Sequence, residues 1–377
     1  MQRILLLAGA VVFVDMLFFS ALTPLLPHYA HTLGLSKTGA GALTAAYPLG
    51  VLVGAIPSGV VAARLGVKPT VVVGLSTVAV CVVIFGFADH AWQLFVARFV
   101  QGIASAFSWT GGLAWLIAAA PEGRRGTLIG SAFAAAVGGT LFGPVLGGVA
   151  SLAGTRWTFG VVGVASLGLV AFAATTSAAS PGEPQPISAL FSAFRDRQLL
   201  VCFWLVLLPG LLFGNLSVLV PLRLAHLGYG GAAIGAVFLC TAALESGNNI
   251  LVGRISDRRG TTLPILAGLA GSAVFAAVLP WPNRAILLAV VVVLASLAFG
   301  ASFTPALTLL TNVSEARGLD YGYAFALVNL AWAPGETLGA AGGGGLAHAT
   351  ADAVPYLALS LICIASFALL GRLTSRA

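Results

Sequence analysis

The chain has 377 residues, of which 59% are hydrophobic and only 8% are charged, and its mean hydropathy is +1.02. This composition excludes a soluble globular domain, because such a domain needs many more charged residues on its surface. The formal net charge of +7 comes from basic residues scattered between apolar runs, so it indicates membrane topology and not a nucleic-acid surface. The four cysteines lie inside apolar runs without metal-ligand spacing, which is typical of packing residues.

Twelve apolar windows are long enough to cross a bilayer of roughly 30 Å. In chain order they fall at about 4–27, 38–62, 69–88, 91–119, 126–152, 157–179, 199–221, 231–253, 261–280, 284–310, 320–346 and 353–372. The sequence therefore predicts an all-α integral membrane protein with twelve transmembrane helices.

One polar, proline-bearing segment separates the sixth window from the seventh. It begins at Ser180 and continues to Arg197. Such a composition is typical of a linker. We therefore predict an N-terminal six-helix bundle at 1–180, a cytoplasmic linker at 181–198 and a C-terminal six-helix bundle at 199–377.

The basic residues between the windows indicate the orientation of the chain. If the N-terminus is cytoplasmic, most lysines and arginines lie inside, and only Lys37, Arg156, Arg223 and Arg284 lie outside. Membrane proteins keep an excess of Lys and Arg on the cytoplasmic side. We therefore expect a multi-pass protein of the cell membrane with both termini in the cytoplasm.

The two halves of the chain resemble each other at a fixed spacing. The segment Gly59–Gly66 after the second window corresponds to Gly253–Gly260 after the eighth, 194 residues later, and Leu33-Gly34 corresponds to Leu227-Gly228 at the same spacing. The glycine-rich segment at Gly139 corresponds to one at Gly335, 196 residues later. Such spacings predict two parallel, pseudo-symmetric six-helix bundles, with a substrate site near the midplane between them.

The fifth window carries an unusual glycine and proline pattern. Three glycines recur four residues apart, so on a helix they share one face that a neighbouring backbone can approach closely, and a proline among them favours a bend. The pattern G-x-x-x-G-P-x-x-G-G resembles the fifth-helix motif of the drug:proton antiporter branch of the major facilitator superfamily. The resemblance implies that the antiporter motif consists of Gly139, Gly143, Pro144, Gly147 and Gly148.

Further segments are similar to the same family. Arg98-x-x-Gln101-Gly102 resembles its fourth-helix signature, and Asp15 followed by Pro24 and Pro27 resembles its first helix. The family's loop pattern G-x-x-x-D-R-x-G-R-K is degraded in the first half, where Ala63 replaces the aspartate, and better kept in the second half. The resemblance implies gating loops formed by Gly59, Arg64, Gly66, Lys68, Gly253, Asp257, Arg258 and Gly260.

Asp15 is the first candidate for proton coupling. It lies roughly 16 Å into its window, close to the bilayer centre. An ionised carboxylate is costly there, so the residue should exchange protons, although a fixed salt bridge is the structural alternative.

Arg98 also lies within a window and needs a partner, because a guanidinium does not lose its proton. Asp15 is one candidate partner, and the resemblance implies a proton-transfer role for Arg98 with Gln101.

Two further acids, Glu245 and Glu336, lie inside windows, and each is equally consistent with proton or substrate binding and with a local polar contact. Polar and aromatic residues of several windows are candidates for lining a substrate cavity, although such residues often face only other helices. They are Tyr47, Phe107, Trp109, Phe213, Asn215, Asn248, Asn249, Phe303, Asn329 and Trp332.

The sequence contains no nucleotide-binding loop of the G-x-x-x-x-G-K-[ST] type, so an ion gradient, most simply of protons, is the expected energy source and no cofactor or metal site is expected. We predict a transporter, expected to be monomeric, that exports hydrophobic or amphiphilic small molecules by proton antiport. The alternatives are a proton symporter that imports a sugar or metabolite and a membrane sensor without transport. An enzyme is not expected, because no catalytic set of residues is evident.

Overall fold

The computed structural model describes residues 2–120, 125–177, 196–319 and 321–374. Within these residues the chain forms twelve α-helices: α1 (Gln2–Thr32), α2 (Lys37–Leu65), α3 (Val67–Phe87), α4 (Ala91–Ala118), α5 (Arg125–Ala153), α6 (Thr155–Thr175), α7 (Arg197–His226), α8 (Gly231–Arg259), α9 (Thr262–Val278), α10 (Ala285–Ala316), α11 (Tyr321–Ala349) and α12 (Ala353–Thr374). Nine are long and apolar enough to cross a membrane, and α9 is a shorter apolar helix. The predicted all-α membrane fold is confirmed.

Several helices extend past the predicted windows. Helix α1 continues through Pro24 and Pro27 to Thr32, five residues past its predicted window. Membrane helices tolerate prolines because neighbouring helices and local adjustments satisfy the freed backbone groups. The predicted linker at 181–198 lies largely outside the described residues, and α7 begins at Arg197 after an Asp196 cap.

The first six and the last six helices pack by the same scheme. Helix α1 packs on α5, α2 on α4, and α3 on both α4 and α6; likewise, α7 packs on α11, α8 on α10, and α9 on both α10 and α12. The turns repeat as well, because Gly66 and Gly260, which end α2 and α8, have φ angles of +95° and +80°. Glycine adopts such angles without steric cost. This repetition agrees with the spacing of 194 residues in the sequence.

Three glycines of α5, spaced four residues apart, form a close contact with α1. A side chain added at any of them would collide with a backbone carbonyl oxygen of α1 or with an adjacent side chain. Gly139 faces the carbonyl of Phe13, Gly143 that of Leu17, and Gly147 that of Ala21. We call the three glycines the α5 seam. The seam therefore packs two helices within the first half of the chain.

A matching seam joins α11 to α7. Gly335 and Gly339 face the carbonyl oxygens of Leu207 and Leu211, and Gly343 faces the side chain of Asn215. The two seams bring equivalent helices together, so each half has a tightly packed helix pair facing the other half.

The halves meet along two helix pairs, α2 with α11 and α5 with α8. In the first pair Gly41 lies against Ala340 and Gly344, and in the second Gly235 lies against the carbonyl oxygen of Pro144. All these positions lie toward the end of the bundle where α1 connects to α2, which we call the junction end. Toward the opposite end α8 is much less covered, because after Gly235 only Thr241 and Val252 are buried among its described residues.

An ion pair between Lys37 of α2 and Asp352, which lies between α11 and α12, joins the halves at the junction end. The two side chains are 40% and 29% exposed, and such pairs contribute only about 0.2–1 kcal/mol. In Lys37→Ala we expect the fraction of molecules whose halves are separated at the junction end to rise up to about fivefold. The reason is that the ion pair forms only when the halves are in contact there. The readout is the labelling rate of a cysteine placed at Thr44 with a membrane-impermeant thiol reagent.

Exposed Cys240 is first replaced by serine for this measurement, since the other cysteines are buried. The matched control exchanges the charges, with Lys37→Asp and Asp352→Lys in one chain, and should restore the original labelling rate. An unchanged rate in Lys37→Ala would show that the ion pair does not affect the closed state.

Candidate functional site

Asp15 of α1 is the centre of a buried polar cluster. Its side chain is 1% exposed, and its Oδ2 atom accepts three hydrogen bonds. The Tyr47 hydroxyl of α2 donates at 2.9 Å, the Ser105 hydroxyl of α4 at 2.6 Å and the Trp109 indole nitrogen of α4 at 2.9 Å. The hydroxyl oxygens of Tyr47 and Ser105 lie 2.7 Å from each other. Side chains of α2 and α4 therefore hold one carboxylate oxygen of α1.

Close backbone approach between α2 and α4 makes this cluster geometrically feasible. A side chain at Gly50 would collide with the carbonyl oxygen of Phe99, and one at Gly102 with that of Tyr47. Glycine–backbone contacts allow membrane helices to pack at short distance. Because Ser105 and Trp109 lie one turn apart on α4, both point from the same face toward Tyr47 and Asp15.

Arg98 of α4 lies beside this cluster without an ion pair to Asp15; the ion pairs within the described residues involve neither side chain. Its guanidinium carbon lies 5.0 Å from the centre of the Tyr47 ring and 5.7 Å from that of Phe19. Its Nη1 atom donates to Gln101 Oε1 at 2.9 Å. Aromatic faces stabilise a desolvated guanidinium. Tyr47 therefore links the two charged residues, because its ring contacts Arg98 and its hydroxyl donates to Asp15.

Three polar atoms of the cluster are buried without a hydrogen-bond partner in the described part of the chain. They are Asp15 Oδ1, Arg98 Nε and Gln101 Nε2. Buried polar atoms normally find partners, so such atoms require an explanation. Asp15 Oδ1 is the position where a proton can be added without displacing any of the three donors on Oδ2. The arrangement is therefore chemically suited to reversible protonation.

The other predicted acids lie apart from this cluster. Glu336 of α11 is 3% exposed, and its backbone packs against Gly210 and Gly214 of α7. No hydrogen bond reaches its carboxylate from the residues described. Glu245 of α8 lies against Gly300 of α10, close to Asn249.

The residues predicted to line a substrate cavity lie in different parts of the helix bundle and do not form one group. Trp332 packs near Phe19 and Tyr47, where the halves meet. Phe213 forms an edge contact with Phe299 at 5.6 Å, and buried Asn215 lies in the α7–α11 seam. Asn248 donates to the carbonyl of Leu297 at 3.0 Å, and half-buried positions are occupied by Phe107, Phe303 and Asn329. Tyr47 and Trp109 alone among these predicted residues contact Asp15 in the described structure.

The remaining predicted residues lie near the ends of α2 and α8. Arg64, Asp257 and Arg258 are exposed, Lys68 is half-buried, and Gly59 and Gly253 have open space where a side chain would lie. Gly148 of the predicted antiporter motif faces Ala232 of α8, so it and Pro144 contact the second half while the α5 seam contacts α1.

Sequence reasoning missed Ser105 and Phe19. Ser105 lies seven residues after Arg98 and four before Trp109, so the three side chains share one face of a helix. This spacing could have identified Ser105 from the sequence. Phe19 lies four residues after Asp15 by the same periodicity.

Comparison with known proteins identifies the fold and the class of protein. Residues 8–336 match the family model of the Major Facilitator Superfamily. The chain belongs to this superfamily. It is therefore a multi-pass membrane transporter with small-molecule substrates, and not an enzyme.

Relatives within the superfamily include resistance proteins. The chloramphenicol resistance protein of Streptomyces lividans is 29% identical over 363 residues, which cover 90% of this chain and 88% of the relative. The multidrug resistance protein MdtG of Proteus mirabilis is 26% identical over 223 residues, 55% of each chain.

Solved structures of superfamily members share the fold. A bacterial homologue of the human lysosomal transporter Spinster, in an inward-facing and unoccupied conformation, matches with a TM-score of 0.81 at 16% identity, covering 98% of this chain and 97% of the other. A D-xylose-proton symporter matches with a TM-score of 0.76 at 14% identity, covering 97% of each chain.

Proposed function

We propose that this transporter exports hydrophobic or amphiphilic small molecules in exchange for protons. The observation that carries the proposal is the buried Asp15 carboxylate, in which one oxygen is held by three donors and the other has no partner. An acid within a membrane helix is costly to maintain, and such residues mark ion and proton pathways. The two relatives named for chloramphenicol resistance and multidrug resistance support the outward direction of transport.

The proposed topology places the chain in the cell membrane with both termini in the cytoplasm. The junction end then faces outward, and the described conformation is closed to the outside. Transport proceeds by alternating access, in which the contacts of α2 with α11 and of α5 with α8 separate while contacts form at the other end. The transporter is proposed to act as a monomer and to need only the proton gradient.

Proton and substrate are proposed to communicate through Trp109. Asp15 is covered by Tyr47 and Trp109, so a bulky substrate does not reach the carboxylate directly. The Trp109 ring is half-buried, and its indole nitrogen donates to Asp15. Protonation of Asp15 weakens the acceptor for this bond, since a neutral acid attracts donors less than a carboxylate does. The orientation of Trp109 toward the substrate space then depends on the proton.

The test uses proteoliposomes that enclose a pH-sensitive dye, to which neutral drugs and quaternary lipophilic cations are added from outside. In antiport, a compound that enters the lumen is exchanged for protons that leave it, so the lumen becomes more alkaline. Acidification would instead establish a symporter, and a bound compound that moves no protons and is not transported would indicate a sensor. Protein-free vesicles control for passive permeation.

A further inference from the structure

A second polar cluster lies between α8 and α10 in the last six helices. A Cβ atom at Gly300 of α10 would lie 3.2 Å from Glu245 Oε1 and 3.3 Å from Asn249 Oδ1, so both oxygens converge over one backbone position. The Thr304 hydroxyl, one turn further along α10, donates to Asn249 Oδ1 at 3.1 Å. Two side-chain oxygens therefore lie close to the Gly300 backbone, and the hydroxyl oxygen of a third side chain contacts one of them.

The scaffold does not require the acid and the amide of this cluster. In the first half, 194 residues earlier, the positions of Glu245 and Asn249 are occupied by Val51 and Ala55, and that of Gly300 by Ala106. There α2 and α4 pack directly, with Gly54 against Ala106. Of the four positions only Thr304 has a polar equivalent, Thr110, so the carboxylate and the amide are additions of the second half, which indicates a purpose besides packing.

The charge of Glu245 has no protein counter-charge in the described structure. No ion pair or hydrogen bond to its carboxylate is found there. The nearest basic residue on α8, Arg254, is nine residues away, which is about 13 Å along a helix. An unpaired carboxylate at this depth is unfavourable, so the site favours a ligand that brings positive charge.

Neighbouring residues cover the cluster only partly. Glu245 is half-buried, Gly247 is exposed, and the space around Gly247 and Gly253 is free of neighbouring atoms within 4 Å of an added Cβ. The cluster is therefore not fully enclosed by the described part of the chain.

We propose that Glu245, Asn249 and Thr304 form a binding site for a monovalent alkali cation, with Na⁺ as the probe. Hard oxygen donors favour alkali and alkaline-earth ions over softer metals. One carboxylate balances a single positive charge, whereas a divalent ion would leave excess charge in the membrane interior. The site is independent of the proposed proton exchange, because it lies in the other half of the chain and shares no residue with the Asp15 cluster.

The first test measures thermal unfolding of the purified full-length protein at fixed pH and ionic strength, with NaCl replacing choline chloride. A ligand that binds only the folded state raises its stability in a saturable manner. We expect saturable stabilisation by Na⁺ that is lost in Glu245→Gln and half-saturates at about tenfold higher Na⁺ in Thr304→Val. Direct binding of radioactive Na⁺ provides a second readout that does not depend on unfolding.

Glu336→Gln is the matched control, since it removes another buried acid of the same half, and it should keep the Na⁺ response. Asp15→Asn should also keep it, which separates this proposal from the proposed proton exchange. Absence of a Na⁺-specific response in the intact protein, or its persistence in Glu245→Gln, would overturn the proposal.

Discussion

Asp15→Asn is expected to reduce substrate-evoked proton movement to the level of protein-free vesicles while the protein remains folded. The amide is nearly the same size as the carboxylate, and its oxygen accepts hydrogen bonds from Tyr47, Ser105 and Trp109 as Oδ2 does. It does not gain or lose a proton in the physiological range. The variant therefore removes the proton site and keeps most of its surroundings. The measurement is the lumenal pH of dye-filled proteoliposomes, with thermal unfolding as the check on folding.

The matched control for this experiment is Asp89→Asn. Asp89 is an exposed acid of the same half and forms an ion pair with Arg156 at 3.0 Å. Exposed pairs contribute little, so this variant should move protons as the intact protein does. Full proton movement in Asp15→Asn would contradict the proposed role of Asp15 and direct attention to Glu336 and Glu245.

Gly143→Leu is expected to prevent stable folding. Any side chain at Gly143 would collide with the carbonyl of Leu17 and the hydroxyl of Ser20, so α1 and α5 would have to move apart. Overpacking a close contact costs about 3 kcal/mol or more when the backbone has to shift. Loss of the seam would also displace Asp15, which lies on the same stretch of α1. The measurements are recovery of monodisperse protein by size exclusion and its midpoint of thermal unfolding.

Gly130→Leu provides the control on the same helix. Gly130 is exposed, and no neighbouring atom lies within 4 Å of a Cβ added there. Leucine also has the higher helix propensity, so this variant should be recovered and unfold like the intact protein. Equal behaviour of the two variants would show that the seam tolerates side chains.

The fold was predictable from the sequence because its main signals are local. Windows of twenty or more apolar residues have few alternatives to membrane helices, and the spacing of 194 residues relates the two halves. The α5 seam was also visible, since glycines four residues apart share a helix face. The sequence did not reveal which helix that face contacts, and the structure identifies it as α1.

The candidate site was only partly predictable, because it depends on which helix faces meet. Asp15 was evident as an acid in an apolar window, but its donors Tyr47 and Ser105 come from two other helices. The sequence did not show whether Asp15 or another group is the partner of Arg98. The structure places the Arg98 guanidinium against the rings of Tyr47 and Phe19. The convergence of Glu245 and Asn249 over Gly300 has no counterpart in the repeat, so no internal symmetry indicated it.

The small residues at the junction end affect how easily the two halves can separate. Gly41 lies against Ala340 and Gly344, while Gly235 lies against the Pro144 carbonyl. At these positions the helices meet through backbone atoms. The helices can therefore part at these positions without a long side chain first leaving a pocket. The Lys37–Asp352 ion pair lies at the same end, so it is an electrostatic contact that the halves have to break when they separate there.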